Sequence, residues 1–554
     1  MPASTAIQPE RSPTASNRRP AFKLALVFMV AALVCGFFEA WLARNDMYTD
    51  GISYLDLGDA FLHGDWKAAV NLYWSPLYPL LLGGAMGLLK PNAIWEFPVV
   101  HLVNCVVFAL TVLAFQYFLA GFLRRRSDSL PDSIWIALAY TVFLWSTLRL
   151  IGVGLVSPDM CVAGCVFLAV GILQRIAFDP ALWRYTLLGV SLGVGYLAKA
   201  PVLPVGLVLG AISLSCVQGF RSRALRAAIA ALAFVIVAGP WIYALTWVKG
   251  CVSFGESWSL NVSWYVDDVP RYHWHGEAAL HPTRQIFEKP PVYAFNGPVS
   301  GTYPIWYDPA YWHAGIQPRF ASLNVLRQIR ANGFDYYQLF FHLQIAVAVI
   351  CLAWFLMCGR GHMNWMLILP SLAALLMYVP VHVEDRMIGA YVVLLWLGMF
   401  SSAAVIRPEQ REFAYSTALA LVIVQLAQLG LSVAGTAGSR AHAGGNPQAE
   451  IAQQLRSKGL RAGEKVAWIR PQVFTPVENY GWARLAKLRI VGEIPGPSET
   501  AFWRSNAEAQ QQIFGSLRES GAKALVTTNI PAGASAAGWI PLGKSGYSIR
   551  FLND

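Results

Sequence analysis

Arg44-Asn-Asp-Met-Tyr-Thr-Asp50-Gly-Ile-Ser-Tyr54-Leu-Asp-Leu-Gly58-Asp-Ala-Phe-Leu-His-Gly64-Asp-Trp66 follows directly on the first long apolar run of the chain. Asp46, Asp50, Asp56, Asp59 and Asp65 sit in it among aromatic side chains. A helix starting at Asp50 puts Asp50, Tyr54 and Leu57/Gly58 on one face, by the i, i+4 and i+7/i+8 spacing. Taken by themselves these carboxylates read as helix caps in a solvated loop. The sequence on either side supplies a second reading.

The chain has 554 residues, of which 56% are hydrophobic and 13% charged. Soluble domains carry about 25% charged residues, and apolar runs of spanning length recur throughout, so the pattern is that of a polytopic membrane protein. The net charge of +11 does not indicate nucleic-acid binding. The basic residues gather in short loops (Arg18, Arg19 and Lys23; Arg124 to Arg126; Arg221, Arg223 and Arg226; Arg407 and Arg411). These loops alternate with acidic or neutral ones, as the positive-inside rule requires. The eight Cys form no disulfide framework and no paired CxxC site.

Residues 1–21 read as a disordered cytoplasmic tail, and 22–435 as a transmembrane region of about 11 helices. The first, about Phe22 to Leu42, keeps its basic flank inside, so the acidic stretch emerges outside. Outer loops are expected at 43–93 and 249–338. The short apolar run that follows Asn71 and reaches Leu89, broken by Pro76, Pro79 and a Gly pair, reads as interfacial or re-entrant. Residues 436–446 read as a linker. Residues 447–554 alternate helix-like and strand-like pieces, giving a small α/β domain that the helix count places outside. The expected strands are 465–469, 488–494, 523–528 and 547–551.

Four polar features then fall on the outer side: Asp50, Asp159, Lys199 and the Glu384-Asp385-Arg386 group, with Arg149 at a nearby span end. Singly, each reads as a snorkelling or interfacial residue. Ionisable residues at span ends inside a bundle are costly and are functional candidates by default. Carboxylates for proton transfer beside cations for an anionic group fit a phosphate-bearing lipid substrate.

The order of these motifs resembles the GT-C type of polytopic membrane glycosyltransferases, in particular the aminoarabinose transferase and protein O-mannosyltransferase group. Asp50-x-x-x-Tyr54 with Gly58 and Gly64, followed by Trp74-Ser-Pro-Leu-Tyr-Pro79, is similar to their first outer loop. Ser157-Pro-Asp159 resembles their second acidic motif, Tyr196-Leu-Ala-Lys199-Ala-Pro201 their Thr-Lys-Gly-Pro segment, and Glu384-Asp-Arg386 their Glu-x-Arg-Tyr segment. The chain departs from the pattern at Gly51, where the family often has Glu, at Ala198 and Ala200, and at Met387. The resemblance implies a sugar donor linked to a polyprenyl phosphate or diphosphate, inversion at the anomeric carbon, Asp50 as the base and Asp159 as its assistant. It implies Lys199 and Arg386, with Arg149, at the donor phosphate, and Tyr54 and Glu384 at the substrate. The acceptor implied is a lipid, glycan or protein of the envelope on the outer face of a bacterial inner membrane, among membrane lipids and without nucleic acid. No cofactor is expected; divalent metal is possible in such enzymes, but no His/carboxylate ligand cluster indicates it.

The long loop carries Pro298-Val-Ser-Gly-Thr-Tyr-Pro-Ile-Trp306-Tyr307-Asp-Pro-Ala-Tyr-Trp312. Such aromatics stack on sugar rings or build an interfacial belt, and Trp306, Tyr307 and Trp312 are the candidates. His273 and His275 have no third ligand at a recognisable spacing and read as surface histidines. Two other readings stay open. A transporter or flippase of a lipid-linked sugar would place charges at mid-span and repeat its halves, which the sequence does not do. A non-catalytic sugar-binding envelope protein would keep the aromatics without needing Asp50.

Overall fold

The computed structural model describes residues 15–126, 128–277, 279–295, 297–441, 445–472, 475 and 479–552. Residues 1–14 of the expected tail and 442–444 of the expected linker lie outside these. The described remainder of the tail is helical, since the first helix begins at Ala15 and runs to Leu42. The helix Pro408–Ala441 likewise runs into the stretch where a linker is expected.

Among the described residues six helices are long and apolar enough to cross a membrane: Pro20–Leu42, Glu96–Arg125, Asp132–Ile151, Asp159–Ile176, Phe220–Lys249 and Pro408–Gly435. A seventh crossing results if Ser322–Leu343 and Ile345–Cys358, bent by 79° at their junction, count as one. The chain is a multi-pass membrane protein. Asp132–Ile151 and Asp159–Ile176 form the centre, with 89% and 78% of their apolar windows buried. There the rings of Phe115 and Phe143 stack at 4.2 Å, and Phe167 meets both edge-on. The peripheral helices expose apolar side chains such as Val27, Val34, Phe37, Val235, Ile236 and Trp247. Their backbone groups are satisfied within the helix, which suits them to lipid.

The helix Thr49–Leu62 lies at the end of the bundle opposite the Arg124–Arg126 end of its neighbour Glu96–Arg125. It packs on Leu77–Leu89 by close approach of two glycines. A Cβ on Gly58 would stand 2.9 Å from the Gly83 nitrogen, and one on Gly83 would stand 2.5 Å from the Gly58 carbonyl oxygen. Only Gly permits that contact. At Gly51 a Cβ would come within 2.7 Å of Val156 Cγ1, so the Glu of the resembling family has no room here.

At this end of the bundle sits one seven-stranded sheet, ordered β1-β2-β4-β3-β5-β7-β6. Its strands are β1 (Arg284–Phe287), β2 (Val292–Ala294), β3 (Lys465–Ile469), β4 (Arg489–Ile494), β5 (Ala524–Thr527), β6 (Ile540–Pro541) and β7 (Ser548–Phe551). β3 is parallel to both β4 and β5; the remaining pairs are antiparallel. The helices Pro447–Ser457, Gly481–Ala486, Gly496–Arg504 and Ala507–Glu519 accompany it. β1 and β2 come from the long loop, not from the C-terminal segment, so the sheet joins the two parts of the chain. Ile469, Val491, Phe502, Ile513, Leu517 and Leu525 share a core with Val292 of β2.

Candidate active site

Asp50 occupies the first turn of Thr49–Leu62, and Asp159 the first turn of Asp159–Ile176. A carboxylate there is favoured by the helix dipole. Lys199 caps Leu182–Ala198 in an extended conformation (φ −161°), where Pro201 prevents the helix from continuing. Arg386 is in the first turn of Asp385–Phe400. A cation at that end opposes the dipole, and three carboxylates surround it.

Arg386 Nε donates to Glu384 Oε2 at 2.5 Å and faces Asp159 Oδ2 at 3.6 Å, while its Nη2 reaches Asp50 Oδ2 at 3.5 Å. Lys199 Nζ donates to Asp159 Oδ1 at 2.7 Å. The Asp159 side chain is 2% exposed and the Asp50 side chain 22%. Trp306 Nε1 donates to the other Asp50 oxygen, Oδ1, at 3.0 Å. Five segments separated by tens to hundreds of residues thus meet at one point. Arg386 is shared among three carboxylates rather than standing free as a phosphate clamp.

A cavity of about 650 Å³ opens over this cluster, reaching Asp50, Lys199, Glu384 and Arg386. Tyr54, Tyr73, Trp74, Trp264, Tyr265, Tyr272 and Trp306 give it an aromatic wall. A second cavity of about 390 Å³ shares Thr49, Asp50, Glu384 and Arg386 with the first and is otherwise walled by Tyr48, Leu150, Leu155, Val156 and Asp385. Burial raises the Glu384 carboxyl, but its hydrogen bond with His382 and the Arg386 charge outweigh burial and hold it well below the usual carboxylate range. Burial, with the Asp50 charge second, pushes the Tyr54 hydroxyl well above its usual value, and burial takes Tyr265 up to about 12. Both hydroxyls stay protonated at working pH. Among the described residues no group of three or more His, Cys, Asp or Glu could hold a metal.

Four residues named from the sequence line neither cavity: Asp159, buried against Lys199, and Arg149, Tyr307 and Trp312. Arg149 bonds the Ser432 hydroxyl, while its neighbour Leu150 lines the smaller cavity. Tyr307 donates to the Ala68 carbonyl at 2.6 Å, and Trp312 to the Pro304 carbonyl at 2.9 Å. Both hold the Trp306 loop in place. His273 is not a surface histidine. Its side chain is 6% exposed, pairs with Glu493 and stacks on Tyr293 at 4.2 Å. His275 is exposed.

Sequence reasoning missed Arg271, Tyr265 and His382. His382 bonds Glu384 Oε1 at 3.0 Å and stacks on Tyr265 at 3.7 Å; the Arg271 guanidinium lies 4.3 Å from the same ring. Arg271 lines the larger cavity, and among the described residues it forms no ion pair with a carboxylate. Asp50, Asp159 and Glu384 face two committed cations, Lys199 and Arg386, and Arg271 brings the formal charge of these six groups to zero. No motif marks Arg271; its place in an irregular loop carries no periodic signal.

No protein-family model matches this chain, and no curated protein matches it. Among solved structures it is similar to the ArnT aminoarabinose transferase of Cupriavidus metallidurans bound to undecaprenyl phosphate, at 13% identity, over 95% of this chain and 98% of that one, with a TM-score of 0.42. It is also similar to the Archaeoglobus fulgidus oligosaccharyltransferase in the apo form, at 12% identity over 91% and 69% of the two chains, with a TM-score of 0.45. A further match is the AglB protein of the same organism with an inhibitory peptide and a dolichol-phosphate (12%; 91% and 69%; TM-score 0.41). These proteins are GT-C membrane glycosyltransferases.

Proposed function

We propose that the protein is a membrane glycosyltransferase that moves a sugar from a polyprenyl-phosphate donor to a hydroxyl of an envelope acceptor. The observation that carries this reading is the position of Asp50 and Arg386, which both cavities share. A base placed there reaches a donor in one cavity and an acceptor in the other. Asp50 takes the proton of the acceptor hydroxyl as its oxygen attacks the anomeric carbon from the face opposite the phosphate. The bond from that carbon to the phosphate oxygen breaks, and its electron pair stays with the phosphate. Arg271 and Lys199 meet the charge that develops. Trp306 keeps one Asp50 oxygen engaged, Asp159 orients Lys199 and Arg386, and the aromatic wall receives the sugar and the first prenyl units.

The reading includes about eleven crossings. Beyond the long spans, Leu182–Ala198, Val202–Ser215, Trp365–Tyr378 and Asp385–Phe400 have 14 to 17 residues each and supply the rest. With the basic loops inside, the site and the sheet fall on the outer face. The C-terminal segment acts as an extracytoplasmic α/β domain on this topology.

The test is transfer from a radiolabelled polyprenyl-phosphate sugar by the purified protein in lipid, with crude envelope as acceptor and Asp50→Asn alongside. Transfer by the parent and its loss in Asp50→Asn, with donor binding kept, is expected. Equal transfer by both removes Asp50 from the mechanism. Tight donor binding with no transfer by the parent refutes the enzyme reading.

A further inference from the structure

Asp56 and Asp59 lie on the Asp50 helix, and neither lines either of the two cavities. Arg484, from the short helix Gly481–Ala486 of the C-terminal segment, holds both. Its side chain is 3% exposed. Nη1 donates to Asp56 Oδ1 at 2.7 Å and to Asp59 Oδ2 at 2.6 Å, and Nε donates to Glu96 Oε1 at 2.5 Å. Lys487 reaches Glu96 Oε2 at 3.2 Å. Asp56 also accepts from the Thr302 backbone N–H at 2.7 Å and from the Thr302 hydroxyl at 3.0 Å. Thr302 begins the turn that carries Trp306, whose carbonyl accepts from Ser53 Oγ at 3.0 Å. Two neighbours of Arg484 grip the start of the same helix. Tyr480 donates to the Thr49 carbonyl at 3.2 Å and Asn479 to the Met47 carbonyl at 2.8 Å.

The site helix is therefore held by a guanidinium toward each end. Arg386 faces Asp50, and Arg484 holds Asp56 and Asp59, about 9–14 Å further along the axis at 1.5 Å per residue. A helix moves as a unit, so the anchor at 56 and 59 sets how far Asp50 stands from Trp306 and Arg386. A buried charge cluster is weak evidence for stability, because desolvation offsets much of the attraction. Its directionality is another matter. A planar guanidinium fork meets its carboxylates at fixed angles, and an ammonium group does not reproduce them.

We infer that Arg484 is a positioning residue: through Asp56, Asp59 and Thr302 it fixes the place of the Asp50 carboxylate, so that the C-terminal segment completes the site. This rests on the reading of Asp50 as the base. Arg484, Asp56, Asp59 and Thr302 line neither of the two cavities.

The experiment is a double-mutant cycle on the full-length protein in lipid nanodiscs, with Arg484→Lys, Asp50→Asn and the pair. Single-turnover transfer, polyprenyl-phosphate binding by tryptophan quenching, and thermal stability are measured for each. Arg484→Lys is expected to slow transfer by about 10- to 100-fold, the scale of a displacement near 1 Å at a reacting group. Binding should change by less than about threefold. On the Asp50→Asn background the effect of Arg484→Lys should shrink to within about twofold, since a group acting through Asp50 has nothing left to act on. If Arg484→Lys slows the residual rate of Asp50→Asn by the factor it takes from the parent, or if its loss tracks the folded fraction, the role is structural and the inference falls. If Arg484→Lys does not fold, Thr302→Val goes through the same cycle. It removes one hydrogen bond to Asp56, worth about 1 kcal/mol or about fivefold; unchanged transfer overturns the inference. Should Asp50→Asn transfer like the parent, it is the base assignment that fails, whatever Arg484→Lys does.

Discussion

Arg271→Gln is the most direct probe of the cavity's charge balance. The guanidinium lies 4.3 Å from the Tyr265 ring, lines the larger cavity and is exposed on its other side. A unit charge pair at about 4 Å is worth about 1 kcal/mol in bulk water and about 4 kcal/mol at an effective dielectric of about 20. A half-solvated cation belongs in the lower part of that range, so losing it costs about 1–2 kcal/mol. That is about 5- to 30-fold in affinity. The assay is titration of the full-length protein in nanodiscs with polyprenyl phosphate, read by quenching of the cavity tryptophans Trp74, Trp258, Trp264 and Trp306. Uncharged polyprenol is the control. The phosphate should bind more weakly to Arg271→Gln, polyprenol should bind unchanged, Arg271→Lys should recover most of the loss, and added salt should narrow the difference. Equal phosphate affinity in parent and Arg271→Gln refutes the charge argument. A matching loss for polyprenol refutes it too, because the effect would then be packing against Tyr265.

Gly83→Ala puts a methyl 2.5 Å from the Gly58 carbonyl oxygen. It should destabilise the protein by about 1–3 kcal/mol, read as a lower thermal midpoint in the same lipid; an unchanged midpoint would mean that the two helices separate freely. Burial raises the Glu493 carboxyl, but His273 and Arg470 outweigh it and bring it from 4.5 to about 2. A depressed carboxyl contributes stability that is complete above about pH 4.5 and is lost as pH falls towards about 2. The thermal midpoint of the parent should drop through that window, and Glu493→Gln should flatten the drop; identical acid limbs would show that the cluster does not couple to folding. Arg149→Ala should keep transfer within about twofold, as for a surface change away from the site. A tenfold loss would return Arg149 to the donor phosphate.

The residues that meet at the centre were readable one by one, because each interrupts or ends an apolar run. Asp50, Asp159, Lys199 and Arg386 are conspicuous against spans that otherwise carry almost no charge. Their mutual arrangement was not readable: whether Arg386 is a free clamp or a shared partner depends on where three other segments end. The same limit separates Trp306 from Tyr307. Successive side chains on a helical turn point about 100° apart, so one faces Asp50 and the other Ala68, and the sequence of an irregular loop does not fix that phase. Strands β3, β4, β5 and β7 lie within a few residues of the expected ones, where β-branched runs alternate with polar turns. β1 and β2, of four and three residues, are too short for any period to mark, and tertiary pairing with β4 makes them strands. His273 is buried for a related reason. Its partner Glu493 is 220 positions away.

The charge balance of the site bears on how the proposed step would run. Before transfer, Asp50 shares Arg386 with Asp159 and Glu384, and the cavity is neutral with Arg271 uncommitted. As the acceptor proton moves to Asp50, that carboxylate loses its charge while the departing phosphate gains one. The sum over the cavity does not change, and the negative charge moves towards cations that already stand in the cavity, which is how groups fixed in advance lower a barrier. Only the distribution shifts. The Arg386 Nη2, 3.5 Å from Asp50 Oδ2, loses its anion at the moment a new one forms in the same cavity. The other Asp50 oxygen stays bound to the Trp306 indole, so the proton is directed to the oxygen facing Arg386. On this reading the long, weak Arg386–Asp50 contact is a functional distance. A tighter ion pair would have to be broken before Arg386 could turn to the new anion, and a wider gap would leave the carboxylate unsupported before the step.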